Sequence, residues 1–154
     1  MTTSMSRRQL LVTGGAAAAV LATAGLPSPA AAAPAPPGGA GVVLAWNREL
    51  LTVVRTPGLQ PATVHATRSF ALLHAAIHDA VVATTGTGRP YLFTVDVPGH
   101  AAPEAAAAQA AHDVLAALYP ARAADFAALL AGQLAAVRPP AARDAGVRAG
   151  QLVA

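Results

Sequence analysis

His74 and His78 stand four residues apart in the run Ser69-Phe70-Ala71-Leu72-Leu73-His74-Ala75-Ala76-Ile77-His78-Asp79-Ala80-Val81-Val82-Ala83. On a helix that spacing puts both imidazoles on one face, within reach of a single ion. His112 from a later helix, or Asp79, would complete a three-ligand set suited to zinc or iron. The pair lacks the glutamate of a metalloprotease helix. The preferred reading is therefore two core histidines bonded to backbone or side-chain partners, with no residue assigned to catalysis, cofactor or metal. Asp79 follows His78 directly and points about 100° away. A buried carboxylate needs a partner. Arg68 lies eleven residues earlier, about 16 Å along the helix axis, and is out of reach. Arg48 or Arg55 is the expected partner.

Other chemistry finds little footing. Ser69 lacks a Gly-x-Ser-x-Gly elbow, and His65 and His100 read as exposed residues. There are ten arginines, no lysine and no cysteine. A Walker motif is thus impossible, and disulfides and thiolate metal sites are excluded. The formal charge is +3; without Arg7 and Arg8, eight bases face seven acids, a net of +1. No basic stripe is set out to read phosphates, so nucleic acid is not an expected partner.

The elements that must position these residues are helices. Ser6-Arg7-Arg8-Gln9-Leu10-Leu11, an apolar run to Leu26 and then Ala30-Ala31-Ala32-Ala33 follow the order of a secretory signal of twin-arginine type over residues 1–33. Cleavage is expected after Ala32 or close to it, leaving an exported chain with no stable membrane span. Residues 34–41 read as a Pro/Gly linker, and 42–154 as an all-α domain of four to five helices. Val43, Trp46, Leu50 and Val53/Val54 predict an amphipathic helix over Val42–Val54 with Trp46 as its anchor, its indole N–H seeking an acceptor. Pro61 is expected to open the next helix, running to about Thr84. That helix, apolar around nearly its whole circumference, is the expected centre of the bundle. Tyr91–Val97 predicts an ordered loop, since a lone strand has no partner. Further helices are expected over 102–118, 123–137 and from Ala141 onward.

Trp46-Asn47-Arg48, Arg55-Thr56-Pro57, Arg68-x-x-Ala71-Leu72-x-His74-Ala75-Ala76-x-x-Asp79-Ala80-Val81, Pro103-Glu104-Ala105-Ala106, Ala110-Ala111-His112-x-Val114-Leu115 and Leu118-Tyr119-Pro120 occur in this order. Together they resemble the N-terminal helical region of secreted bacterial vanadium-dependent haloperoxidase-like proteins, in the type-2 phosphatidic acid phosphatase superfamily. The resemblance implies an all-α bundle whose complete members bind vanadate, or phosphate in the phosphatase branch. It also implies that the oxyanion is gripped by residues of Lys-x6-Arg-Pro, Pro-Ser-Gly-His and Ser-Arg-x5-His motifs, C-terminal to the matched region. None carries over here: Arg89-Pro90 has no lysine to complete it, and Pro98-Gly99-His100 lacks the serine.

The expectation is therefore an N-terminal scaffold fragment, inactive by itself, of an exported haloperoxidase-like or acid-phosphatase-like protein. The helical pattern still running at Ala154 reads as a chain cut in mid-helix. An uncovered apolar stripe with Val147 and Leu152/Val153 should await the missing C-terminal half or a homo-oligomer partner. The alternative is an autonomous exported all-helical binding or structural domain, able to self-associate.

Overall fold

The computed structural model describes residues 39–61 and 63–154; residues 1–33, where a signal is expected, and residues 34–38 of the expected linker lie outside the described residues. The chain is all-α, as the sequence predicts, with α1 (Gly39–Arg55), α2 (Ala66–Thr85), α3 (Pro103–Leu118), α4 (Ala123–Ala136) and α5 (Pro140–Val153). A 3-10 turn over Pro120–Arg122 joins α3 to α4. Among the described residues there is no strand, and no helix is long and apolar enough to cross a membrane.

Local chemistry accounts for most boundaries. α2 stops at Gly86, whose φ of 65° is a left-handed conformation that a glycine adopts without steric cost, and its N–H bonds the Val82 carbonyl at 2.9 Å. Pro103 opens α3 at a position whose N–H has no helical partner, with Glu104 complementing the dipole. Two boundaries differ from expectation. α1 begins at Gly39, three residues inside the expected linker. Its glycines occupy the first turn, where the backbone makes the fewest helical bonds. α2 begins at Ala66 rather than Pro61. Gln60 bonds the Val64 carbonyl and accepts from Tyr119 Oη, so this connection is held as a turn by a side chain.

The centre of the bundle is α3 and not α2. Helix α3 packs against all four other helices, and seven successive residues, Ala105 to Ala111, are buried. Alanine makes this arrangement available, because a helix without long side chains lets neighbours close in from every direction. α5 answers with glycines. A β-carbon on Gly146 would stand 2.4 Å from the Ala102 carbonyl oxygen and 2.9 Å from Ala105 Cβ. The two backbones therefore touch without side chains between them. An Ala102 N–H to Ala142 carbonyl bond of 2.9 Å ties the start of α3 to α5.

Larger side chains fill the other side. Val42, Trp46, Leu50 and Val53 of α1 meet Leu73 and Ile77 of α2, Leu115 of α3, Tyr119 and Phe126. The Trp46 ring lies 6.3 Å from that of Phe126, and its indole N–H donates to Gln133 Oε1 at 2.9 Å. The anchoring role and the acceptor predicted for Trp46 are both present.

The expected stripe on α5 is not uncovered. Val153 is buried against Ala76, Ala80, Ala106 and Ala110, and Val147 packs on Ala102, Ala105 and Ala142. Leu152 alone of the three points outward. The close approach to α3 explains this, since the glycine and alanine face of α5 brings its valines down with it.

Candidate functional site

Helix α2 divides into two faces. Ser69, Leu73, Ala76, Ile77 and Ala80 are buried at three- and four-residue spacing, and Asp79 is buried with them at 1% exposure. Arg68, Ala71, His74 and His78 are exposed. The histidines are therefore not core residues. The apolar look of this helix came from alanines, which read as hydrophobic yet gain little from burial, so Ala71 can face water at small cost.

Asp79 has no arginine partner. Its Oδ1 accepts the Tyr91 N–H at 2.5 Å, and its Oδ2 accepts the N–H groups of Leu92 and Phe93 at 2.7 and 2.9 Å. Three successive amides of the returning loop thus replace the expected Arg48 or Arg55. The loop amides are available because Tyr91–Phe93 form no strand ladder and so have no other obligation. Burial would push the Asp79 carboxyl up. The amides of Tyr91, Phe93 and Leu92, with help from the nearby His78, more than reverse this and hold it below the usual carboxylate range. A carboxylate engaged this way is a clamp and not a base.

His78 works beside it, its Nε2–H donating to the Arg89 carbonyl at 2.9 Å. Two neighbouring residues of α2 therefore grip the segment 89–93. The side chains of that segment point away: Tyr91 is 75%, Leu92 59% and Phe93 49% exposed. Tyr91 also lines a shallow open depression with Ala71, Ala75 and His78.

His74 donates from Nε2 to Asn47 Oδ1 at 3.2 Å, tying α2 to α1, while its ring stacks on Phe70 with centroids 6.5 Å apart. His112 is placed elsewhere. Its Nδ1 donates to Asp113 Oδ1 at 2.7 Å, and its ring meets the Trp46 ring edge-on at 6.4 Å. Asp113 Oδ1 also accepts from Gln109 Nε2 at 2.8 Å. The fold thus keeps His74 and His78 on one face and leaves His112 in a different hydrogen-bonding group. Among the described residues no three His, Asp or Glu side chains converge as a metal set. His74 and His78 each use Nε2 as a donor, so binding an ion through that atom would require releasing Asn47 or the loop.

The described residues also do not fit a vanadate site. A trianionic oxyanion needs several converging cations and donors. The arginines are spread over α1, α2, the connections and α5. Arg122 is held by Asp125 and Glu49, and Arg143 by Asp144.

One polar group escaped sequence reasoning. Ser69 Oγ and Tyr119 Oη lie 2.7 Å apart in the core, and Tyr119 Oη donates to Gln60 at 3.1 Å, pinning the end of α3 to the start of α2. A serine on the buried stripe of α2 was the available signal, since a buried hydroxyl requires a partner. Comparison with family models, curated proteins and solved structures finds no match for this chain.

Proposed function

We propose that this chain is the helical scaffold of an exported vanadium-dependent haloperoxidase-like or acid-phosphatase-like protein, with the oxyanion-gripping residues supplied from outside the segment. The resemblance from Trp46 to Pro120 motivates the reading, and the Arg7-Arg8 leader motivates export. The observation that carries the scaffold role is the use of the clamp residue Asp79, whose two oxygens hold three loop amides. Other polar members of the same pattern behave alike: Trp46 bonds α4, Asn47 and His74 bond each other, and Tyr119 bonds Ser69. Side chains that join elements are occupied with architecture and not with substrate.

The test is bromide oxidation by the purified chain with orthovanadate and hydrogen peroxide, followed by bromination of monochlorodimedone. The expected rate equals the protein-free control; bromination above it overturns the reading. DNA downstream of the last codon supplies a second check, through the presence of Lys-x6-Arg-Pro and Pro-Ser-Gly-His coding sequence.

The autonomous helical domain is favoured by one observation. The apolar face of α5 is already covered, with Val153 buried and Val147 packed against α3. Absence of those motifs from the downstream DNA would decide for it.

A further inference from the structure

The geometry points to the outer face of α2, together with Tyr91, as the docking surface for an acidic helix of another polypeptide segment. Such a face deepens the scaffold reading and rests on it, because it names where a scaffold receives its partner.

Arg68, Ala71, Ala75 and His78 fall on one stripe of α2, separated by three or four residues. Ala71, Ala75, His78 and Tyr91 line the open depression. A floor of methyl groups lets a second helix approach to the short end of the usual 8–10 Å axial range. Beside it the clamp of Asp79 and His78 holds the backbone of the loop, so that Tyr91, Leu92 and Phe93 are presented outward and cannot turn into the core. Three successive large apolar side chains facing water form the kind of patch that marks an interaction site.

Charge selects the partner. Arg68 and Arg89 are exposed at this face, and neither forms an ion pair with an acid among the described residues. The only acid of α2 is Asp79, which is buried and engaged. A helix with small or apolar residues along its seam and carboxylates on its flanks complements this face. A second copy of the chain complements it poorly. Of the helical acids outside α2, Glu49, Asp113, Asp125 and Asp144 are each already paired within the chain, which leaves Glu104 in the first turn of α3, so no helix among the described residues offers unpaired carboxylates along its flanks.

The experiment titrates the full chain into two fluorescently labelled 21-residue helical peptides. Both carry an alanine/leucine seam; one has flanking glutamates, and its counterpart has lysines at the same positions. The glutamate peptide should bind at least tenfold more tightly, and raising the salt should weaken it. Ala75→Glu and the pair Arg68→Glu with Arg89→Glu should each reduce binding tenfold or more. Ala127→Glu, on the exposed side of α4, serves as the folding and charge control and should leave binding unchanged. Equal binding of the two peptides, or binding indifferent to Ala75→Glu, overturns the proposal. So does a dimer in light scattering that Ala75→Glu dissociates, which identifies a second copy. So, too, does sedimentation with phosphatidylserine vesicles that Tyr91→Ser abolishes while neither peptide binds. Bromination by the chain alone defeats the scaffold reading separately, in an assay that does not involve the peptides.

Discussion

Gly150 of α5 lies directly against the backbone of Ala106 on α3: a β-carbon on Gly150 would stand 2.5 Å from the Ala106 carbonyl oxygen and 2.7 Å from Gln109 Cβ. No side-chain rotation relieves the contact with a backbone oxygen, so the helices themselves would have to separate. Since α3 touches every other helix, that movement cannot stay local.

Gly150→Ala should therefore destabilise the fold by about 2–3 kcal/mol, at the upper end of overpacking effects, and Gly146→Ala should do the same. Gly132 in α4 provides the opposite case, because a β-carbon there meets nothing within 4 Å. Gly132→Ala should stabilise by about 0.5–1 kcal/mol through helix propensity alone. Urea unfolding of the three variants checks the difference in sign. Three equal shifts would show that the α3–α5 contact is not tight.

The Asp79 clamp should appear in the pH dependence of stability. Its folded pKa lies below the unfolded one, which is about 3.9. The contribution is then fully present above the unfolded value and is lost as pH falls through the folded value. Asp79→Asn places an NH2 group where an amide donor needs an acceptor, and should cost about 1–3 kcal/mol at pH 7. The variant should also show a flatter loss of stability on acidification. Amide exchange at Tyr91, Leu92 and Phe93 should quicken in the variant, and unchanged exchange there would contradict the clamp.

Trp46 is the only tryptophan, so its emission reports one place in the fold. Gln133→Leu leaves the buried indole N–H without its acceptor and should cost about 1–2 kcal/mol, with a shift in the emission maximum. Trp46→Ala removes the largest side chain of the core and should cost about 3–5 kcal/mol. A double-mutant cycle of Trp46→Phe with Gln133→Leu measures the pair. Zero coupling would mean that the hydrogen bond contributes nothing to joining α1 and α4.

The sequence carried the helices, the breaks between them and several anchors. Periodicity at Val43, Trp46, Leu50 and Val53/Val54 marked α1 as amphipathic; of these Trp46, Leu50 and Val53 are buried, with Val42 buried in place of Val43. The ordered loop over Tyr91–Val97 was legible from its lack of a pairing strand. The clamp site was only half legible. Burial of Asp79 and its need for a partner followed from its place in an apolar run. The identity of the partner did not, because an arginine side chain and a set of loop amides satisfy a carboxylate equally well on paper. His74 and His78 were misplaced for a related reason: flanking alanines made their face read as core.

By itself the sequence determined an all-helical chain and its local boundaries, because helical periodicity, proline and glycine act within a few residues of one another. It also determined that the core would be held by few large side chains, Trp46 foremost among them. Only the tertiary structure decided that α3 and not α2 is the central helix, that the histidine face of α2 points to water, and that Asp79 holds the loop. Alanine is compatible with either the interior or the surface. Which alanines become buried is therefore set by how closely the helix backbones can approach, and at Gly146 and Gly150 that approach joins α5 to α3.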